Sequence, residues 1–176
     1  MKRIIYITLA ILILPIANIN AQQNINYDFY IGTWRYTNTS TNEELTIKLR
    51  ESTVTLPPIY GGHTITCLAG IYIYKKNGQI IHDTSDQFSN IPADEMPICV
   101  LKNTENPGRS TLSVRDYGKM KDGWPKSGSG LLILVSSTNP KKIRWMVETP
   151  EGTYTEETAP PIGFSIPTDV IFTKVE

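Results

Sequence analysis

The sequence predicts an all-β protein, an antiparallel up-and-down barrel of eight to ten strands, and three observations lead there. Apolar and polar residues alternate at period two in one stretch after another, short turn signals separate these stretches, and no helix-period run follows the N-terminal segment. A closed barrel is the arrangement that leaves such a meander without exposed edges.

The chain opens with Met1-Lys2-Arg3, an apolar run from Ile4 to Ala17 broken by Pro15, and then Asn18-Ile19-Asn20-Ala21. This is the three-part layout of a secretory signal peptide cut after Ala21. Residues 1–21 are therefore expected to be a signal peptide and residues 22–176 a barrel domain, secreted or periplasmic after cleavage. An apolar run of about fourteen residues is shorter than the roughly twenty a membrane helix requires, so no span is expected in the mature chain. Seventeen basic residues balance seventeen acidic ones, and loss of Lys2 and Arg3 leaves a charge near −2. Such a chain releases few counterions from a polyanion, so nucleic acid is not an expected partner.

The first strand of the mature chain is signalled by Asp28-Phe29-Tyr30-Ile31-Gly32-Thr33-Trp34-Arg35-Tyr36. Gly32 permits close backbone approach and Trp34, two residues on, points to the same side, a pair suited to plugging one end of a barrel. Leu45, Ile47 and Leu49 alternate with Thr46, Lys48 and Arg50 in the second strand, and Thr53 to Leu56 continue it until Pro57-Pro58. The longest strand runs from Thr64 to Lys75 and turns at Asn77-Gly78, a type I′ hairpin signal. A two-residue turn there sets Tyr74 opposite Ile81, Ile73 opposite His82 and Tyr72 opposite Asp83. That register leaves neither face purely apolar, which fits a partly polar lumen and an outer side covered by a loop.

Ser85 to Met96, with two prolines close by, reads as a lid or long connection holding at most one helical turn. Ile98 to Lys102 returns to strand, Asn106-Pro107-Gly108 turns, and Leu112 and Val114 alternate with Ser113 and Arg115. Gly118 to Gly130, rich in lysine, glycine and serine around Trp124-Pro125, reads as an exposed loop with one aromatic anchor. Leu131 to Val135 is an apolar central strand, Asn139-Pro140 a turn, and Ile143, Trp145 and Val147 one face of the next strand. Glu151-Gly152 is a further turn, Pro160-Pro161 lies in a loop, and Thr168 to Val175 is the last strand. There Val170, Phe172 and Lys174 share a face; closure of first strand on last would lay Lys174 across Trp34, and the alternative is a solvent-facing Lys174 near the terminus.

Chemistry-bearing patterns are sparse. His63 and His82 stand nineteen residues apart without a cysteine or carboxylate pattern for a metal, so neither a metal nor another cofactor is expected. No Gly-x-Ser-x-Gly elbow occurs, and Gly128-Ser129-Gly130 lacks the strand and helix context of a phosphate loop, so the chain is not expected to be an enzyme. Cys67 and Cys99 either form a disulfide or remain two buried thiols, and strand order decides which. A bond would close about thirty-three residues and add roughly 3–4 kcal/mol.

Gly32-Thr33-Trp34 on the first strand, a basic residue on the last and the length of the chain resemble the lipocalin and calycin superfamily. Three blocks in order, Ile31 to Trp34, Gly70 to Gly78 and Pro167 to Lys174, more closely resemble a group of small secreted bacterial proteins of unknown function. The likeness covers most of the mature chain. It implies an up-and-down barrel, often with an interior ligand site, and no reaction. The chain departs from lipocalins in two places: Asp116-Tyr117 has no preceding threonine and no further tyrosine partner, and nothing between Glu148 and Pro167 matches the C-terminal helix.

Two functional expectations follow. One is a binding protein holding a small, largely apolar molecule in the lumen, lined by Tyr36, Tyr72, Tyr74 and Trp145. The other is a barrel filled by its own side chains, acting through its loops as a protein-interaction or inhibitor module with a partner the sequence does not name.

Overall fold

The computed structural model describes residues 27–175, apart from residues 56–57, 59–60, 89–94, 102, 104, 107, 151–158 and 160. The expected signal peptide and the turn at Glu151-Gly152 lie outside the described residues. No helix among those described is long and apolar enough to cross a membrane.

Nine strands form one antiparallel sheet: β1 (Gly32–Asn38), β2 (Glu43–Thr55), β3 (Thr64–Lys76), β4 (Gln79–Asp83), β5 (Ile98–Leu101), β6 (Arg109–Lys121), β7 (Trp124–Ser136), β8 (Lys142–Glu148) and β9 (Asp169–Lys174). Each pairs with its neighbour in the chain, except that β4 is an extra strand and β5 also pairs with β3. The β1–β9 and β2–β3 ladders close the remaining eight strands into a barrel. Short 3-10 turns at Tyr27–Phe29 and Ser85–Phe88 are the helical elements among the described residues.

Parity along the strands builds the core. Trp34, Leu45, Ile47, Leu49, Leu68 and Tyr72 point inward from β1 to β3, and Ile98, Val100, Leu112, Val114, Leu132, Ile143, Trp145, Val170 and Phe172 complete one buried cluster. A smaller apolar cluster lies on the opposite side of β3, where Cys67, Ala69 and Ile71 are covered by Met96 and Phe88. Thus β3 is buried on both faces, and its unbroken Cys67-Leu68-Ala69-Gly70-Ile71 text reflects that.

The structure corrects two readings and decides a third that was open. At the β3–β4 hairpin, Tyr74 opposes His82 and Ile73 opposes Asp83, because a bulge leaves Ile81 as an extra residue between the Lys75–Ile80 and Tyr74–His82 pairs. His82 therefore shares the inner face with the tyrosines instead of lying with Ile73. Gly118 to Gly130 is not a loop: β6 and β7 run through it, joined by Asp122-Gly123, both at positive φ (54° and 82°) as a two-residue hairpin turn requires. Trp124, expected as an anchor, is 77% exposed. Of the two states open to Cys67 and Cys99, the structure has the thiols. Cys67 faces Leu101 and Cys99 faces Ala69, so the two are diagonal neighbours, out of register by two residues.

Candidate functional site

Among the described residues, aromatic side chains plug one end of the barrel, a strap crosses the other, and a concavity lies on the outer face. At the first end, Gly32 takes a φ of 119°, accessible to glycine, as the chain turns from the Tyr27–Phe29 helix into β1. The turn brings the Tyr30 carbonyl to Trp34, whose Nε1 donates to it at 2.8 Å. Phe29 packs on the indole with ring centroids 5.8 Å apart. Across β1–β9 pairing Lys174 stands opposite Trp34, with its ammonium 5.2 Å from the ring centroid and donating to the Phe29 carbonyl at 3.0 Å. Burial, and then the nearby Lys141, lower the Lys174 pKa. Burial alone pushes the Tyr30 phenol up to about 12.

At the opposite end, residues 161–167 cross the barrel mouth as a strap. Asp116 on β6 and Lys126 on β7 are register partners with inward side chains, 0% and 3% exposed. The Asp116 carboxylate accepts from the Ser165 amide and hydroxyl, and from the Gly118 amide at 2.9 Å. Lys126 Nζ donates to the Pro161 carbonyl and sits 4.7 Å above the Phe164 ring. Burial lowers the Lys126 pKa, Asp116 opposes that shift and Lys119 adds to it. Trp145 Nε1 donates to the Pro167 carbonyl at 3.0 Å, and Lys121 Nζ to the Ala159 carbonyl at 2.9 Å. His82 and Ser165 face each other across Gly118, where a Cβ would overlap both. This buried polar set joins residues 49 positions apart, and no local motif signals it.

The four expected lining residues are distributed between these regions. Tyr72 and Trp145 are fully buried, Tyr74 nearly so, and Tyr36 is half-buried. Trp145 and Tyr36 pack edge-on against Phe172 with centroids 5.4 and 6.5 Å away. The Tyr72 hydroxyl accepts from the Tyr117 amide at 3.0 Å, and the Tyr74 hydroxyl donates to Glu43 at 2.9 Å. Burial raises the pKa of both phenols; for Tyr74 it acts with the Glu43 carboxylate to push the value up to about 12. Among the described residues, no group of three or more histidine, cysteine or acidic side chains is placed to hold a metal.

The open face lies on the outside of the β6–β7 hairpin. Arg115 and Ser127 are cross-strand partners there, with Tyr117 and Pro125 farther along the same hairpin. The Arg115 amide donates to the Pro97 carbonyl at 2.7 Å, which brings the segment before β5, with Glu95, alongside. Gly123 and Trp124 close the far side of a concavity of about 720 Å3. None of these residues belonged to the expected site. The Asp122-Gly123 dipeptide was the available signal, since it marks a hairpin whose tip must present its neighbours to solvent.

Compared with known proteins, the chain matches one family over residues 1–175, described as a family of unknown function (DUF6705). No curated protein and no solved structure matches it.

Proposed function

The chain belongs to the DUF6705 family, whose function is unknown, and from its own surfaces we propose that it is a non-catalytic binding module. In this reading it is secreted or periplasmic and works through the outer face of the β6–β7 hairpin. The observation that carries this reading is Trp124, a large aromatic side chain 77% exposed on the wall of a 720 Å3 concavity. Exposed tryptophan beside charged and hydroxyl groups is the composition of recognition surfaces, and the volume lies within the roughly 300–1,000 Å3 of small-molecule sites.

The packing inside the barrel supports this reading over a carrier of apolar molecules. Three of the four expected lining residues are buried against other side chains, and the indole and phenol groups of Trp145, Tyr72 and Tyr74 have protein partners. An apolar guest would have to part side chains that are buried against one another.

The three tryptophans stand in three different places: Trp34 at the plugged end, Trp145 in the core, and Trp124 on the outer face. Fluorine NMR of the full chain carrying 5-fluorotryptophan therefore reads all three regions at once. Titration with the low-molecular-mass extract of the source organism is expected to move the Trp124 signal and leave the other two. Movement of Trp145 with Trp124 stationary, or no movement at all, would contradict the proposal.

A further inference from the structure

Resting on that reading, we infer that the concavity on the β6–β7 hairpin takes a neutral oligosaccharide. Four features point to this class. Trp124 offers an indole face to solvent, and that face is suited to the apolar C–H side of a pyranose ring. Its neighbours are hydrogen-bonding groups of both kinds: Glu95 accepts, Arg115 donates, and the Ser127 hydroxyl does either. Among the described lining residues one acidic and one basic side chain balance, which suits a ligand without net charge. The site is open, and Gly123 at the hairpin tip has open space on its Cβ side, so a chain of rings can extend past the tip.

The same features disfavour a lipid. A lipid tail gains from enclosure on all sides, and this wall alternates Trp124 and Pro125 with Arg115 and Ser127. Extended peptides commonly add as a strand to an open sheet edge, whereas this concavity lies on the face of the hairpin; β5 pairs β6 over Thr111–Val114 and β8 pairs β7 from Ser129 onward, short of the site. A sugar needs only side-chain groups on a face, and those are what the hairpin presents.

The test uses the same fluorinated full chain with maltotetraose, cellotetraose and tri-N-acetylchitotriose as probes. At least one is expected to shift the Trp124 signal saturably, with half-saturation in the micromolar to millimolar range and with Trp34 and Trp145 unmoved. With unlabelled protein and calorimetry, Trp124→Ala is expected to weaken that binding about tenfold, the ratio that about 1.4 kcal/mol represents. Trp124→Tyr, which keeps an aromatic face, is expected to retain most of it. Arg115→Gln is expected to weaken binding while the circular dichroism of the barrel is unchanged. If all three sugars leave Trp124 unmoved while the organism's extract moves it, the saccharide class is overturned and the outer-face reading stands. If the extract moves Trp145 instead, both fall.

Discussion

Asp116 shows how much of this molecule depends on single buried side chains. Its carboxylate, fully shielded from solvent, is the acceptor for two groups of Ser165 and one of Gly118, and it opposes the charge of Lys126 beside it. Asp116→Ala would orphan these donors and leave a buried ammonium without its counter-charge. The expected loss is about 1–3 kcal/mol, read as a lowered urea midpoint, whereas Asp116→Asn keeps an acceptor and loses less. The buried tyrosines add a pH dependence. Tyr30 and Tyr74 have phenols pushed up to about 12 from an unfolded value near 10. A raised folded-state value means the native state holds the proton longer than the unfolded chain. Their contribution is thus complete below pH 10 and is lost as pH rises towards 12, by about 2–3 kcal/mol per ring. Denaturant unfolding across that window is expected to show the decline, and Tyr74→Phe to make it shallower.

Among the elements, the β6–β7 hairpin is both the longest departure from the sequence reading and the part that builds the open face. Glycines, serines and lysines between Gly118 and Gly130 read as loop composition, yet all but the turn residue Gly123 lie within β6 and β7. Lys126 faces inward to hold the strap, while Gly128 and Gly130 leave room for Phe164 and for the β8 backbone. A methyl at Gly130 would overlap the Met146 carbonyl, which belongs to the β7–β8 ladder. Gly130→Ala is therefore expected to cost about 1–3 kcal/mol or more and to speed amide exchange along β7 and β8. At Gly78, where a Cβ meets open space, the cost is limited to the strain of a positive φ. The strands themselves were legible because apolar parity repeats along each. The β3–β4 register was not, because a bulge at Ile81 adds a residue without changing composition.

For the whole molecule, parity, short turns and a Gly32-x-Trp34 start were enough to read an all-β antiparallel barrel, which is the fold. What stayed illegible depends on contacts between distant positions. Ser165 reaches Asp116, the segment before β5 brings Glu95 to Arg115, and Cys99 comes two residues out of register with Cys67. None of these leaves a local pattern. In the proposed function recognition falls to the outside because the interior side chains pack against one another. Titration of the full chain with 1-aminoanthracene, a fluorescent apolar probe, tests this most directly. A filled barrel is expected to give only weak, non-saturating emission. Saturable one-to-one binding with energy transfer from Trp145, displaced by a fatty acid, would contradict it.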